Sequence, residues 1–143
     1  MSFIIQFGNA ANTATLSTVD TLTSGSGADT IAFTSGVSNA AIDLGGGSDT
    51  LTFGPGTNSA TVSNAETITG GTGPDTITLG SGFTTAMSID LGLGANKLTL
   101  AAGGNTGPVN NVQTLVGGSG ADAALLSFTR EIPCSQSTRP MAA

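Results

Sequence analysis

An internal repeat constrains this chain more than any other feature of its sequence. The segment VDTLTSGSGADTIAF, which starts at Val19, returns from Ala65 and again from Val112, with a period of about 46 residues. A second related pair, IDLGGGSDTLTF and IDLGLGANKLTL, starts at Ile42 and Ile89. Self-similarity of this kind is typical of solenoids, in which each unit covers the apolar face of its neighbour.

Each long repeat splits into two related halves, and each half carries a Gly-x-Gly-x-Asp turn between two short alternating segments. The turns recur with a mean spacing of about 23 residues, which lies in the range of about 20–50 that is typical of repeat proteins. This spacing gives five units between about residue 3 and about residue 126. The five turns, the fourth of which ends in Asn, are Gly25/Gly27/Asp29, Gly45/Gly47/Asp49, Gly71/Gly73/Asp75, Gly92/Gly94/Asn96 and Gly118/Gly120/Asp122.

The five residues that close each unit alternate between apolar and polar side chains, and most of the polar ones are Thr. Strict alternation with period two predicts a strand with one face buried. The positions expected to face the core are Ile31, Phe33, Leu51, Phe53, Ile77, Leu79, Leu98, Leu100, Ala124 and Leu126. A facing apolar row is expected from the aligned residues ahead of the turns, which are Leu22, Ile42, Ile68, Ile89 and Leu115.

The fold class predicted from these patterns is all-β. We expect a right-handed parallel β-solenoid, similar to a β-roll, with about five rungs of about 23 residues in residues 1–126. A coil that uses the whole 46-residue repeat remains the alternative, because the long copies resemble one another more than their halves do. Residues 127–143 break the pattern, and this tail, which contains Cys134, is interpreted as a cap, a linker or a disordered end.

Composition excludes several kinds of chemistry. Without His and with a single Cys, the chain has no His/Cys zinc site and no Ser-His or Cys-His catalytic pair. Three basic residues against nine acids argue against nucleic-acid binding. No long apolar segment or basic leader is visible, so membrane insertion is not expected. The acids recur with the repeat and do not converge on one place, so we do not expect an enzyme.

The turns resemble a known family. GGTGPDTIT from Gly70 and GGSGADAAL from Gly117 are similar to the nonapeptide GGxGxDxUx of hemolysin-type, repeats-in-toxin (RTX) calcium-binding proteins. Degenerate copies start at Ser24, Gly45 and Leu91. The resemblance implies that the Gly, Asp and Asn residues of all five turns are candidate ligands for Ca²⁺. It also implies calcium-driven folding outside the cell, in an extracellular or cell-surface location.

Calcium takes about six to eight oxygen ligands, and glycine turns can point their carbonyls at an ion. Aspartates stacked along one edge would repel one another without a cation, and Asn96 would interrupt such a row. Family nonapeptides follow one another directly, whereas these turns are more widely spaced, so at most one edge is expected to hold calcium. The alternative is a tight turn in which Asp caps the backbone. Asp43 and Asp90 are either additional ligands or solvated strand residues.

We therefore expect a non-enzymatic, extracellular structural repeat protein that is stabilised by calcium. Because a solenoid has open strand edges at both ends, self-association head to tail into a filament, stalk or surface layer is expected. The alternatives are a calcium-dependent adhesin segment and an ice-binding module. Ice binding is suggested by outward Thr-x-Thr pairs, at Thr21/Thr23, Thr50/Thr52, Thr67/Thr69 and Thr76/Thr78.

Overall fold

Fourteen short strands alternate between two parallel sheets in the computed structural model, which describes residues 2–127. The odd sheet contains β1 (Ile4–Gln6), β3 (Thr21–Thr23), β5 (Ala40–Asp43), β7 (Asn58–Ser63), β9 (Asp75–Leu79), β11 (Lys97–Thr99) and β13 (Thr114–Val116). The even sheet contains β2 (Thr13–Leu16), β4 (Thr30–Phe33), β6 (Thr50–Thr52), β8 (Thr67–Thr69), β10 (Ser88–Asp90), β12 (Thr106–Asn110) and β14 (Ala123–Ser127). One odd and one even strand make a coil, so seven coils stack into a β-solenoid.

Register shows how much chain each coil uses. All neighbouring strands are parallel, and Ile4 pairs with Thr21, which pairs in turn with Ala41. Hydrogen bonds that join equivalent turn positions of successive coils accordingly span 17, 20, 21 or 22 residues. The coils are therefore of unequal length, and the shortest ones alternate with longer ones along much of the stack.

The prediction of an all-β parallel β-solenoid is confirmed, but the five long rungs are wrong, and so is a 46-residue coil. Thr21–Thr23 and Thr67–Thr69 occupy equivalent positions in the 46-residue repeat, yet they lie in opposite sheets. The long repeat therefore spans two and a half coils. Its unit is a half-coil of one strand and one turn, and the same alternating pattern suits either sheet. The right hand of the coil stays a prediction.

The core lies between the inner faces of the two sheets. Most of the apolar positions predicted to face inward are buried, including Ile31, Leu51, Ile77 and Leu98 with no exposed surface. In the last described coil, however, Ala124 is half-buried and Leu126 is exposed.

The expected single facing row is wrong. Leu22, Ile42 and Leu115 belong to the odd sheet, whereas Ile68 and Ile89 belong to the even sheet. Because the 46-residue repeat changes sheet, the aligned residues divide into two rows, one in each sheet.

Residues 2–127 contain no helix long and apolar enough to cross a membrane. β14 ends at Ser127, the last described residue. The rest of the expected tail, with Cys134, lies outside the described residues.

Candidate calcium-binding turns

The five Gly-x-Gly-x-Asp turns lie on two edges of the solenoid. Turns 25–29, 45–49 and 118–122 run from the odd to the even sheet, along what we call the first edge. Turns 71–75 and 92–96 run from the even to the odd sheet, along the second edge. The expectation that all five turns stack along one edge is wrong, because Asp49 and Asp75 are one and a half coils apart, and so are Asn96 and Asp122. That at most one edge holds calcium stays a prediction.

The turn glycines are needed because a carbonyl of the preceding coil points at each of them. An added Cβ on Gly47 would lie 2.5 Å from the carbonyl oxygen of Gly27, and one on Gly45 would overlap the oxygen of Gly25. Gly45 and Gly47 also have positive φ angles, of 79° and 138°. The carbonyls of one turn thus face the next turn, and we call the region between two stacked turns the inter-turn space.

All ten glycines predicted as ligands approach the backbone of the preceding coil in this way. On the first edge they are Gly25, Gly27, Gly45, Gly47, Gly118 and Gly120, and on the second edge they are Gly71, Gly73, Gly92 and Gly94. The structure therefore places these glycines beside the turn-ending side chains, six on the first edge and four on the second. Whether their carbonyls hold an ion stays a prediction.

All of these glycines except Gly45 and Gly47 border turns that already contain an amide donor, and three of them serve as examples. An added Cβ on Gly73 would overlap the carbonyl of Gly56, which accepts the amide of Asn58 at 3.2 Å. One on Gly120 would overlap the carbonyl of Gly103, which accepts the amide of Asn105 at 3.1 Å. Gly94 lies over the carbonyl of Gly73, and its own turn contains the amide of Asn96, which donates to Gly92 at 3.2 Å. Gly73, Gly94 and Gly120 thus differ from Gly47, and the motif gave no sign of this difference.

On the first edge, the residue that ends each turn accepts a backbone hydrogen bond from its equivalent one coil earlier. The N–H of Asn12 donates to Asp29 Oδ1, and the N–H of Asp29 donates to Asp49 Oδ1, both at 2.7 Å. The N–H of Asp49 donates to Glu66 Oε2, also at 2.7 Å. Glu66 ends a turn without glycine, and its register position was not visible in the sequence.

The second edge carries a similar series of hydrogen bonds between coils, and we call each such series a side-chain ladder. The N–H of Val37 donates to Asn58 Oδ1 at 3.1 Å, and that of Asn58 to Asp75 Oδ1 at 3.2 Å. The N–H of Asp75 donates to Asn96 Oδ1 at 2.9 Å, and that of Asn96 to Gln113 Oε1 at 2.6 Å. The turn-ending side chains therefore cap backbone, as the alternative interpretation predicted, but the backbone they cap belongs to the neighbouring coil.

Three turn-ending asparagines were not among the predicted turns, although Gly54, Gly56 and Asn58 have the same Gly-x-Gly-x-Asn form as the turn that ends at Asn96. Asn58 is fully buried, and its Nδ2 donates to the carbonyls of Gly54 and Gly56 at 3.1 and 3.2 Å. The same Nδ2 donates to Asp75 Oδ1 one coil later, at 2.7 Å. Asn12 and Asn105 repeat this arrangement. The related segments FGNAANTATLST and FGPGTNSATVSN contained the signal for two of these asparagines.

Asp49 is the one motif carboxylate whose equivalent residue in the preceding coil is not an asparagine, because that residue is Asp29. Its Oδ1 accepts the N–H of Asp29, but its Oδ2 is buried without a hydrogen-bond partner. It is the one buried side-chain nitrogen or oxygen in this state within residues 2–127. Burial raises the pKa of Asp49, the negative charges of Glu66 and Asp29 add to the rise, and the hydrogen bond from Asp29 opposes it.

The other motif carboxylates have donors on both oxygens. Asp75 Oδ2 accepts the N–H of Gly71 at 3.3 Å, yet burial still raises the pKa of Asp75. The side-chain hydrogen bond from Asn105 lowers the pKa of Asp122. At Asp29, burial acts to raise the pKa, but hydrogen bonds from Ser24 and Asn12 bring that pKa below its usual value.

Asp43 and Asp90 serve as caps of their own turns. Asp43 Oδ1 accepts the N–H of Gly45 at 3.1 Å and the Nδ2 of Asn64 at 2.7 Å. Asp90 Oδ1 likewise accepts the N–H of Gly92 at 2.9 Å and an asparagine amide of the next coil, from Asn111, at 2.6 Å.

The turns offer oxygen ligands of the kind that calcium prefers. Within residues 2–127, no three acidic, His or Cys side chains form a conventional metal cluster. An ion between turns 25–29 and 45–49 would therefore combine the Asp49 carboxylate with backbone carbonyls, which are normal donors for Ca²⁺. The partnerless Oδ2 of Asp49 fits such an ion.

Comparison with known families agrees with this donor set. Residues 17–36 and 62–82 match the family model described as RTX calcium-binding nonapeptide repeat (4 copies). The two segments include turns 25–29 and 71–75. Searches of curated proteins and of solved structures found no match to the chain.

Proposed function

Since the chain carries RTX calcium-binding nonapeptide repeats that form a β-solenoid, we propose that it is a calcium-stabilised structural module of a secreted protein. RTX repeats bind Ca²⁺ and are typical of secreted proteins. The module is non-enzymatic, and its role is to extend by end-to-end stacking into a filament, stalk or surface layer. Calcium stiffens the stack by joining one turn to the next.

The observation that carries the stacking proposal is the condition of the two end coils. β1 and β2 each pair with a strand on one side only, and so do β13 and β14 within the described residues. Unpaired strand edges present free N–H and C=O groups that accept another strand. Residues of the core are also half-covered there, including Ile5 and Leu16 at one end and Leu115 and Ala124 at the other.

A second copy has the chemistry to cover these ends. Every coil presents parallel strands in the same register, so the last coil of one copy can continue into the first coil of the next. A head-to-tail contact of this type does not close on itself, and repeated contacts make a fibre. The proposed partner is therefore another copy of this chain, with no nucleic acid and no membrane insertion.

Electron microscopy and analytical ultracentrifugation at rising protein concentration, with calcium present, test this role. Ile5→Lys places a charge on the half-covered core of the first coil and is expected to abolish filaments. Thr61→Lys, on the exposed face of an interior coil, is the matched control and is expected to leave filaments intact. Monomers alone at high concentration of the unmodified chain would contradict the stacking proposal.

One specific observation favours ice binding as a second candidate. Thr13, Thr30, Thr50 and Thr67 stand in register on four successive even strands and point away from the core. Such a column repeats its hydroxyls at about 4.8 Å, the spacing between neighbouring strands. An ice-recrystallisation assay with Thr50→Lys tests the array, and no inhibition by the unmodified chain would remove this candidate.

A further inference from the structure

We propose that this solenoid holds calcium in one inter-turn space, between turns 25–29 and 45–49, and that asparagine amides replace the ion in three comparable spaces. The inference rests on the calcium binding proposed above and names its site. Of the two turns beside the proposed ion, turn 25–29 lies in the matched segment 17–36, whereas turn 45–49 lies outside both matched segments.

Five inter-turn spaces separate stacked turns of this type. Each is bounded by the turn-ending residue of one coil and the turn-ending residue of the next, and the five pairs are Asn12–Asp29, Asp29–Asp49, Asn58–Asp75, Asp75–Asn96 and Asn105–Asp122. Four pairs contain one carboxylate and one amide. The remaining pair, Asp29–Asp49, contains two carboxylates.

In the three spaces that have Asn below Asp, the amide contacts the oxygens that a cation would use. Asn105 Nδ2 donates to the carbonyls of Ala101 and Gly103 at 2.9 and 3.1 Å, and to Asp122 Oδ1 at 2.7 Å. Carbonyl and carboxylate oxygens in this arrangement are calcium ligands. With an amide donor already among them, these spaces are satisfied without a metal.

The Asp29–Asp49 space has the same walls without the amide. The carbonyls of Gly25 and Gly27 lie against Gly45 and Gly47, as in the other spaces, and the Gly25 carbonyl also accepts the N–H of Gly46 at 2.8 Å. Asp49 is 1% exposed, and its Oδ2 has no donor. A buried carboxylate without a partner is costly, so it needs a counter-charge.

Within residues 2–127, no basic residue lies beside Asp49 to supply that charge. Lys97 is the one basic residue among residues 1–126, and it lies on the odd sheet between Thr76 and Thr114. Glu66, one coil beyond Asp49, adds a further negative charge. A cation from solvent would supply the missing counter-charge at this place, and oxygen donors of this kind suit Ca²⁺.

The proposal differs from what the family match alone would assign. Asp75 lies in the matched segment 62–82, but its Oδ1 accepts the amide of Asn58 and its Oδ2 accepts the N–H of Gly71. Asp49 lies outside both matched segments and has the free oxygen. Comparing the two aspartates therefore separates the two assignments.

The proposal also narrows the set of ligands expected from the motif alone. It keeps Asp49 and the glycine carbonyls of turn 25–29 at the ion. Asp29, whose two oxygens accept hydrogen bonds from Asn12 and Ser24, borders the same space. It assigns no ion to the turns that end at Asp75, Asn96 and Asp122. The six glycines of these turns therefore pack against the preceding coil, and they are Gly71, Gly73, Gly92, Gly94, Gly118 and Gly120.

Isothermal titration with Ca²⁺ counts the ions, and thermal melting with and without Ca²⁺ reports their effect on the fold. The unmodified chain is expected to bind one ion. Asp29→Asn introduces the amide that the other spaces already have, so calcium binding is lost while the calcium-free protein melts at a higher temperature. Asp75→Asn is the matched control, and it keeps binding one ion.

A converse variant tests the amide's role. Asn58→Asp, melted and titrated with Ca²⁺ present, creates a second pair of stacked carboxylates, and the chain is expected to bind two ions. Loss of binding in Asp75→Asn but not in Asp29→Asn would overturn the assigned site and leave calcium binding standing, as would several ions in the unmodified chain. No binding by the unmodified chain would overturn the proposed calcium function itself.

Discussion

The hydrogen bonds of the turn-ending asparagines are expected to stabilise the fold, and Asn58→Ala tests this expectation. The side chain of Asn58 is fully buried and has two roles. Its Oδ1 accepts the N–H of Val37, and its Nδ2 donates to Asp75 Oδ1 and to the two carbonyls of its own turn. Alanine removes all four bonds and fills no new space.

The expected loss follows from the groups left without partners. A buried N–H without an acceptor, here that of Val37, costs about 1–3 kcal/mol. Losing a hydrogen bond to the charged Asp75 costs about 1.5–3 kcal/mol more. We expect the free energy of unfolding to fall by about 3–5 kcal/mol, a large part of the roughly 5–15 kcal/mol that stabilises a typical domain.

Urea titration followed by circular dichroism measures this loss. Asn12→Ala is the matched control, because Asn12 makes the same three amide bonds at a half-buried position in the first coil. Exposure to water reduces the cost of unmade bonds, so its expected loss is about 1 kcal/mol. Equal losses in the two variants, or a loss below about 1 kcal/mol in Asn58→Ala, would refute the reasoning.

Two further predictions concern turn geometry and pH. Gly47→Ala should lower the melting temperature strongly, because its φ of 138° is unfavourable for Ala and an added Cβ would lie 2.5 Å from the Gly27 oxygen. Gly82→Ala is the control, because an added Cβ there would have no atom within 4 Å, and its melting temperature should not change. Equal melting temperatures for the two variants would contradict this reasoning. Burial raises the pKa of Asp75 above its unfolded value of 3.8, so folding favours its protonated form. The contribution of Asp75 should therefore be most favourable below pH 3.8 and be lost as pH rises through the folded pKa. The unfolding free energy of the unmodified chain minus that of Asp75→Asn, measured by urea titration, should fall over this rise, and a pH-independent difference would count against it.

Most of the fold could be predicted from the alternation of apolar and polar residues within each strand. Ile31, Leu51, Ile77 and Leu98 were predicted to face inward and are buried, because period-two patterning is a property of each strand by itself. Which sheet a strand joins depends on its neighbours in three dimensions, and no local pattern reports that. The 46-residue repeat therefore suggested the wrong coil length.

The candidate site was predictable to a similar degree. The turns and their glycines follow from the motif, but the difference between Asp49 and Asp75 does not. That difference depends on which residue lies one coil earlier, Asp29 in one case and Asn58 in the other. Only the register brings these pairs together, because they are separated by 20 and 17 residues in the chain.

Anomalous diffraction from crystals grown with Ca²⁺, or with Tb³⁺ in its place, tests the central claim most directly. We expect one strong peak per chain, between turns 25–29 and 45–49 and next to the partnerless Oδ2 of Asp49. Peaks beside Asp75 or Asp122, whose oxygens accept bonds from asparagine amides, would contradict the account.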